Sequence, residues 1–412
     1  MPVAVIALGV VSLLMDLSSE MIHGLLPAFL IGSLGASALT LGLIEGASEA
    51  TALMVKVASG VLSDRSGQRK PWALFGYGLS ALSKPLFSVA ASSGWIFGAR
   101  VIDRVGKGLR GAPRDALIAD LTPPSIRGAA YGLRQSLDTL GAVAGPLLAM
   151  ALMYAWQDDV RAVFQVAVVP AVLAVLVLWR FVEEAPRVDG RAGPPSRVGE
   201  PRVDPREMQR PWAPLAVMLR RLLPFDAAFD GRFAWVVALG AAAMMARISE
   251  AFLVLRASEG GLSLGQTPLV LVVLNAVYAL TAWPLGRLSD RLPRHQLLAL
   301  GMLTLVVADL ALATAPDTAA LWAGIALFGL HLGMTQGLLA AMVADAAPAA
   351  LRGTAFGVFH LISGVALLLG NGAAGILWQQ LGAEATFIAG AACASTVALG
   401  ALWPRKRGAM LP

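Results

Sequence analysis

Residues 60–65 read GVLSDR and residues 286–291 read GRLSDR; residues 116–132 read ALIADLTPPSIRGAAYG and residues 341–357 read AMVADAAPAALRGTAFG. The first pair is offset by 226 residues and the second by 225, so that Asp120 falls on Asp345, Arg127 on Arg352 and Gly132 on Gly357. Two separate blocks at nearly one offset indicate an internal duplication. The repeated unit is about half of the chain, and the two copies are expected to lie in parallel orientation.

Composition shows what kind of unit is repeated. Of 412 residues, 57% are apolar and only 14% are charged, against about 45–50% and about 25% in soluble domains. Mean hydropathy is +0.70. Disorder, a collagen-like chain and an ordinary soluble enzyme are excluded. The single cysteine, Cys393, excludes an intrachain disulfide and a Cys-rich metal site. The net charge of +6 does not gather in one patch; basic residues recur between apolar segments, which speaks against nucleic acid as a partner.

A helix needs about 20 mostly apolar residues to cross the hydrocarbon of a bilayer. Twelve segments qualify: 3–31, 38–63, 71–91, 94–120, 125–155 and 160–182, then 230–256, 265–289, 295–315, 319–345, 349–378 and 384–404. The first begins at Val3 and outruns a signal-peptide core, so it reads as a span. The expected fold is an all-α membrane protein of twelve transmembrane helices. Residues 1–182 form one six-helix domain, 183–228 a linker and 229–412 a second six-helix domain. The linker holds eight Arg, seven acids and eight Pro and reads as solvated; its end, PWAPLAVMLRRLLPF at 211–225, reads equally as a tether or an amphipathic surface helix.

Orientation follows from the short loops. Arg65, Arg69 and Lys70, then Arg291 and Arg294, then Arg405, Lys406 and Arg407 lie at one side, whereas GSLGASA (32–38), Asp158, Asp159, Asp317 and Glu384 lie at the other. The positive-inside rule places both termini and the linker in the cytoplasm, in a multi-pass protein of the cytoplasmic (inner) membrane.

Charges inside the spans are costly and mark partners or aqueous cavities. The first half holds twelve: Asp16, Glu20, Glu45, Glu49, Lys56, Lys84, Arg100, Asp103, Arg104, Lys107, Arg134 and Asp138. The second half holds Arg247, Glu250 and Asp309. Asp16 lies 13 residues into the first span, about 20 Å along it, and Glu49, Arg104 and Asp138 lie at similar depth. Structural ion pairs are one reading of this set. The other is proton coupling, in which a carboxylate beside an arginine stays ionised and an unpaired, desolvated one takes a proton. On that reading Asp16, Glu49, Glu20 and Asp138 carry protons and Arg104 is the switching partner. Lys56, Lys84 and Asp309 are expected to snorkel or pair near span ends. Substrate contacts are assigned to His23, Arg247, Glu250, Asn275, His331, Gln336, His360 and Asn371. A metal site from His23, His331 and His360 with Asp16 and Glu20 is the weaker alternative, and no metal is assigned. With no Gly-x-Ser-x-Gly, His-Glu-x-x-His or P-loop, neither catalysis, ATP drive nor a cofactor is indicated.

GVLSDRSGQRK at 60–70 resembles the loop between helices 2 and 3 of the major facilitator superfamily, and GRLSDRLPRHQ is a degenerate second copy. RVGKG at 104–108 is similar to that family's Arg-x-x-Gln-Gly element, with Lys107 in place of Gln, and GAVAGP at 141–146 resembles its Gly-x-x-x-Gly-Pro element associated with antiporters. DLSSEM (16–21) and RVGKGLRGAPRDALIAD (104–120) resemble a bacterial and archaeal group of permeases of mostly unassigned substrate. The resemblance implies a secondary transporter of a small solute working by alternating access as a monomer, with proton-coupled efflux the preferred direction. Proton symport of a metabolite, or export of a lipid or metal ion on the same fold, are the alternatives. It also implies a cytoplasmic gate of Gly60, Asp64, Arg65, Gly67 and Arg69 with Arg110 and Arg114 as partners, Asp290 and Arg291 serving the second half, and a hinge or seal at Gly141, Gly145 and Pro146.

Overall fold

The computed structural model describes residues 1–66, 68–123, 126–183, 231–289, 292–346 and 352–402. The linker with its 211–225 segment, Gly67, Asp290, Arg291 and the basic tail lie outside the described residues, as do the side chains of Asp64 and Arg65.

Twelve helices account for the spans. They are α1 (Val3–His23), α2 (Ala38–Ser66), α3 (Lys70–Ser88), α4 (Ser93–Asp120), α5 (Arg127–Ala155) and α6 (Val160–Val166 running on as Val168–Phe181). The second series is α7 (Gly231–Ala246 and Glu250–Glu259), α8 (Leu269–Ser289), α9 (Arg294–Thr314) and α10 (Thr318–Ala346). Finally, α11 and α12 share the stretch Arg352–Leu402, divided at Gly382. Gly382 has φ 85°, a left-handed conformation that only glycine adopts without strain. Among the described residues nine stretches are long and apolar enough to cross a membrane by themselves, with α11 and α12 counted as one. The two that fall short, α3 and α4, carry Lys84 and the run from Arg100 to Arg114, so their polarity has to be answered by neighbouring helices.

Sequence sets the helix starts and breaks. Ser92 and Asp159 cap α4 and α6 by accepting from Trp95 N and Ala162 N. Helix α1 ends at His23, and the chain continues through Leu26–Ala28 and a wide turn at Phe29–Ser33 rather than as one straight span. Helix α7 breaks at 247–249 and restarts with Ser249 accepting from Ala251 N.

Glycines decide which helices approach most closely. A methyl group at Gly141 would stand 2.5 Å from Leu13 O, and one at Gly145 would stand 2.7 Å from Leu17 O, so α5 lies directly on the backbone of α1. In the same way Gly106 faces Gly76 O of α3 and Gly108 faces Ala52 O of α2, which wedges α4 between them. Gly141 and Gly145 thus face α1, while Ala142 of the same segment lines the space between the two groups of helices.

The two groups of helices meet along α2 with α11 and along α5 with α8. At the end away from Arg69 and Arg294 their contact is intimate. Gly375 faces Ala38 O and Gly46 faces Leu368, while Thr267 Oγ1 donates to Gly24 O at 3.2 Å. This closed end contrasts with the opposite, basic end, toward which the interior widens.

Candidate functional site

A cavity of about 350 Å³ lies between the two groups of helices. One wall comes from α1, α2, α4 and α5, and the other from the α7 break, α8, α10 and α11.

The first wall is built on α4. Its residues at helical spacing, Arg100, Arg104 and Lys107, face the cavity. Helices α2 and α4 run parallel, so carboxylates four residues apart on α2 meet arginines four apart on α4. Arg100 Nη2 donates to Glu45 Oε2 at 2.6 Å, and Arg104 Nη2 lies 3.2 Å from Glu49 Oε1. Arg104 Nη2 is also 3.5 Å from His23 Nε2, and His23 Nδ1 is 3.2 Å from Glu20 Oε1. On α5, Arg134 Nη1 is 3.4 Å from Asp138 Oδ2, and Asp138 shares the cavity lining with Asp16 of α1. Glu49 is partly open to the cavity, whereas Glu45, Arg100 and Arg104 are buried.

The second wall is quieter. At the α7 break Ser249 N donates to Asn371 Oδ1 at 2.7 Å, and Ser249 Oγ donates across to Glu45 Oε2 at 3.4 Å. The break thereby turns Arg247 and Glu250 into the cavity, beside Asn275 and Tyr278 of α8 and Gln336 of α10.

The structure therefore brings together Asp16, Glu20, Glu49, Arg104 and Asp138, and with them His23, Arg247, Glu250, Asn275, Gln336 and Asn371. Two of the sequence-assigned substrate residues lie elsewhere. His331 is buried with Nδ1 2.8 Å from Gly301 O of α9, a hydrogen bond between helices outside the cavity. His360 lines a second space, adjoining the cavity toward the basic end, and stacks on Phe356. The three histidines do not converge, and among the described residues no group of three or more His, Cys, Asp or Glu is placed to hold a metal. Lys84 does not snorkel: its Nζ is 3.0 Å from Asp103 Oδ1 and 2.9 Å from Ser19 Oγ, fully inside the first six helices. Asp309 is likewise buried, and both its carboxyl oxygens lack a hydrogen-bond partner among the described residues. Several polar groups of the lining were not assigned from sequence, Gln135, Thr139 and Tyr278 among them. Glu45, Lys107 and Arg100 stood only among the intramembrane charges, and Ser249 gave no signal because a helix break is invisible in an apolar run.

At the basic end, Arg69 Nε of α3's N-cap lies 3.6 Å from Asp120 Oδ2 at the end of α4. The same pair recurs 225 residues later as Arg294 with Asp345. Gly60 packs toward Ala112 of α4. Arg110 and Arg114 turn inward: Arg110 donates to Ser80 Oγ at 2.6 Å and sits over the Tyr77 ring, and Arg114 pairs with Asp115.

Comparisons with known proteins agree with this architecture. The profile described as Major Facilitator Superfamily matches residues 8–271 and 236–410, covering both copies of the duplication. An uncharacterised MFS-type transporter of Methanocaldococcus jannaschii is 30% identical over 396 residues, which is 94% of this chain and 91% of that one. The multidrug resistance protein MdtH of Edwardsiella ictaluri is 29% identical over 142 residues, 34% of this chain and 35% of that one. Among solved structures, a POT family transporter in complex with a thioalcohol-conjugated peptide shares the fold with a TM-score of 0.77 at 14% identity, covering 97% of both chains. The human organic anion transporter MFSD10 shares it with a TM-score of 0.65 at 19% identity, covering 97% of this chain and 98% of that one. With both copies matched and one relative similar along nearly its whole length, the protein belongs to the Major Facilitator Superfamily.

Proposed function

We propose that this chain is a proton-coupled secondary transporter that exports a small solute by alternating access, through rocking of two six-helix domains around the central cavity. The observation that carries the reading is the cavity's position and wall. It lies between the two groups of helices, closed at one end by Gly24–Thr267 and Ala38–Gly375, and is faced on one side with carboxylates and cations that touch one another. With the basic end cytoplasmic, as the loop charges require, this is a state sealed to the outside.

Coupling needs carboxylates whose partners change between states. Glu49 depends on Arg104 of another helix, and Asp138 pairs with Arg134 and shares the cavity lining with Asp16. A rocking motion that lengthens one of these contacts exchanges a cation for a proton as the carboxylate's partner. Export is favoured by the Gly141–Pro146 element and by the partial similarity to a protein named for multidrug resistance. The repeated pairs Arg69–Asp120 and Arg294–Asp345 fit a latch at the cytoplasmic end.

The test is a solute screen in proteoliposomes under an imposed pH gradient, with wild type and Asp16→Asn side by side. Wild-type flux that follows the gradient, and a folded variant that has lost the dependence, support the assignment. Undiminished coupling in Asp16→Asn would sink it.

A further inference from the structure

The central cavity continues into a second one, of about 850 Å³, toward the basic end. Glu49 of α2, Arg247 of the α7 break, Gln336 of α10 and Leu367 of α11 line both and form a waist between them. The same helices carry the wall onward. On α2 it passes from Glu45 and Glu49 to Leu53, Val57 and Gly60, about 22 Å at the helical rise.

The chemistry changes at that waist. On the central side, Arg100 Nε and Nη1 and Arg104 Nε are buried without a hydrogen-bond partner among the described residues. Asp16, Glu20 and Glu250 stand in the same lining, where Tyr278 is the one Phe, Tyr or Trp among the described residues. Beyond the waist the wall is mostly apolar, with Leu53, Val57, Met244, Leu339, Phe356 and Phe359, although Lys56, Asp115, His360 and Ser363 also line it.

Resting on the transporter reading above, we propose that the solute is an amphiphile: a head bearing an anionic group and an N–H ammonium in the central cavity, and one hydrocarbon arm in the second. A wholly apolar solute would desolvate the charged wall without compensation. A wholly hydrophilic one would leave the larger, apolar space unmatched. Lys107 and Arg247, the lining cations that are open to the cavity, call for an anion. Carboxylates without an aromatic cage suit an ammonium that donates hydrogen bonds better than a quaternary one.

The test is equilibrium binding to the full chain in nanodiscs, with empty nanodiscs subtracted. The probes are phosphoethanolamine, its hexyl, octyl and dodecyl monoesters, and dodecylphosphocholine. Affinity is expected to rise about three- to fourfold per added methylene until the second cavity is filled, and the quaternary head to bind at least about tenfold more weakly than its primary-amine counterpart. Ala340→Trp, in the exposed wall of the second cavity, should weaken the dodecyl ester at least about tenfold while unfolding at the wild-type temperature. Should that variant be unstable, Val57→Gln provides the same reading. Lysophosphatidylethanolamine run alongside identifies the source: tighter binding than the dodecyl ester assigns a membrane lipid, and weaker binding an alkylated solute. Affinity independent of chain length, or no binding by any ester, overturns the amphiphile. Gradient-driven flux of a solute without a hydrocarbon arm also overturns it and leaves the transporter standing, whereas loss of coupling to the pH gradient would fall on the transporter reading alone.

Discussion

The two copies of the duplicated unit keep the same ends and differ in the middle. Arg69–Asp120 and Arg294–Asp345 are one pair written twice. In mid-membrane the correspondence fails. At the same 225-residue offset Lys84 falls on Asp309 and Asp103 on Phe328; Arg100 and Arg104 fall on Ile325 and Gly329. The first copy has a closed ion pair where the second has a lone carboxyl and, at the other position, a phenylalanine. The end pairs are retained at the same surface in both copies. Most of the interior charges stand in the first copy, and the second adds only Arg247 and Glu250 to the cavity wall among the described residues.

The largest expected effect tests the closed pair. Lys84 and Asp103 are 1% and 3% exposed. Removing one partner of such a pair leaves an uncompensated buried charge at a cost of about 3–5 kcal/mol. Lys84→Met should therefore unfold in detergent far below wild type. The double variant Lys84→Met, Asp103→Phe, which copies the apolar character of Phe328, should recover most of the loss. A double variant no better than the single would show that the pair is not what holds α3 to α4.

Much of this was legible in sequence, and the reasons differ by region. The duplication, the spans and the set of cavity carboxylates follow from offset, hydropathy and helical depth, because one chain position determines each. What could not be read is which charge meets which. Lys84 was expected to snorkel or to pair near a span end; it pairs, and the wedging of α4 at Gly106 and Gly108 selects Asp103 as its partner. His331 looked like a cavity group, and its ring instead bridges to α9. The 247–249 break depends on Asn371 and Glu45, 122 and 204 residues away from Ser249, for its hydrogen bonds.

A smaller effect, opposite in sign, tests the lone carboxyl. Asp309 has neither a cation nor a hydrogen-bond donor among the described residues, and Gly390 lies against its Oδ2. An unsatisfied buried polar group costs about 1–3 kcal/mol. Asp309→Leu should therefore raise the unfolding temperature, where loss of Lys84 lowers it. A destabilised Asp309→Leu would mean that the carboxyl has a partner that restores the symmetry between the copies.

The smallest stability effect belongs to the pairs that the copies share. Asp120 and Asp345 are 45% and 46% exposed in their side chains, and pairs of this exposure contribute about 0–1 kcal/mol. Asp120→Asn and Asp345→Asn should each leave unfolding almost unchanged. Their effect belongs to the conformational equilibrium, where the loss of even about 1 kcal/mol from one state changes its population about fivefold. If the pairs hold the basic end in one state, the two single variants should change turnover in the same direction by similar factors, and the double variant by about their product, since the sites share no residue. Turnover that responds to Asp120→Asn alone would place the latch in the first copy, and the likeness of the two ends would then be one of ancestry rather than of work.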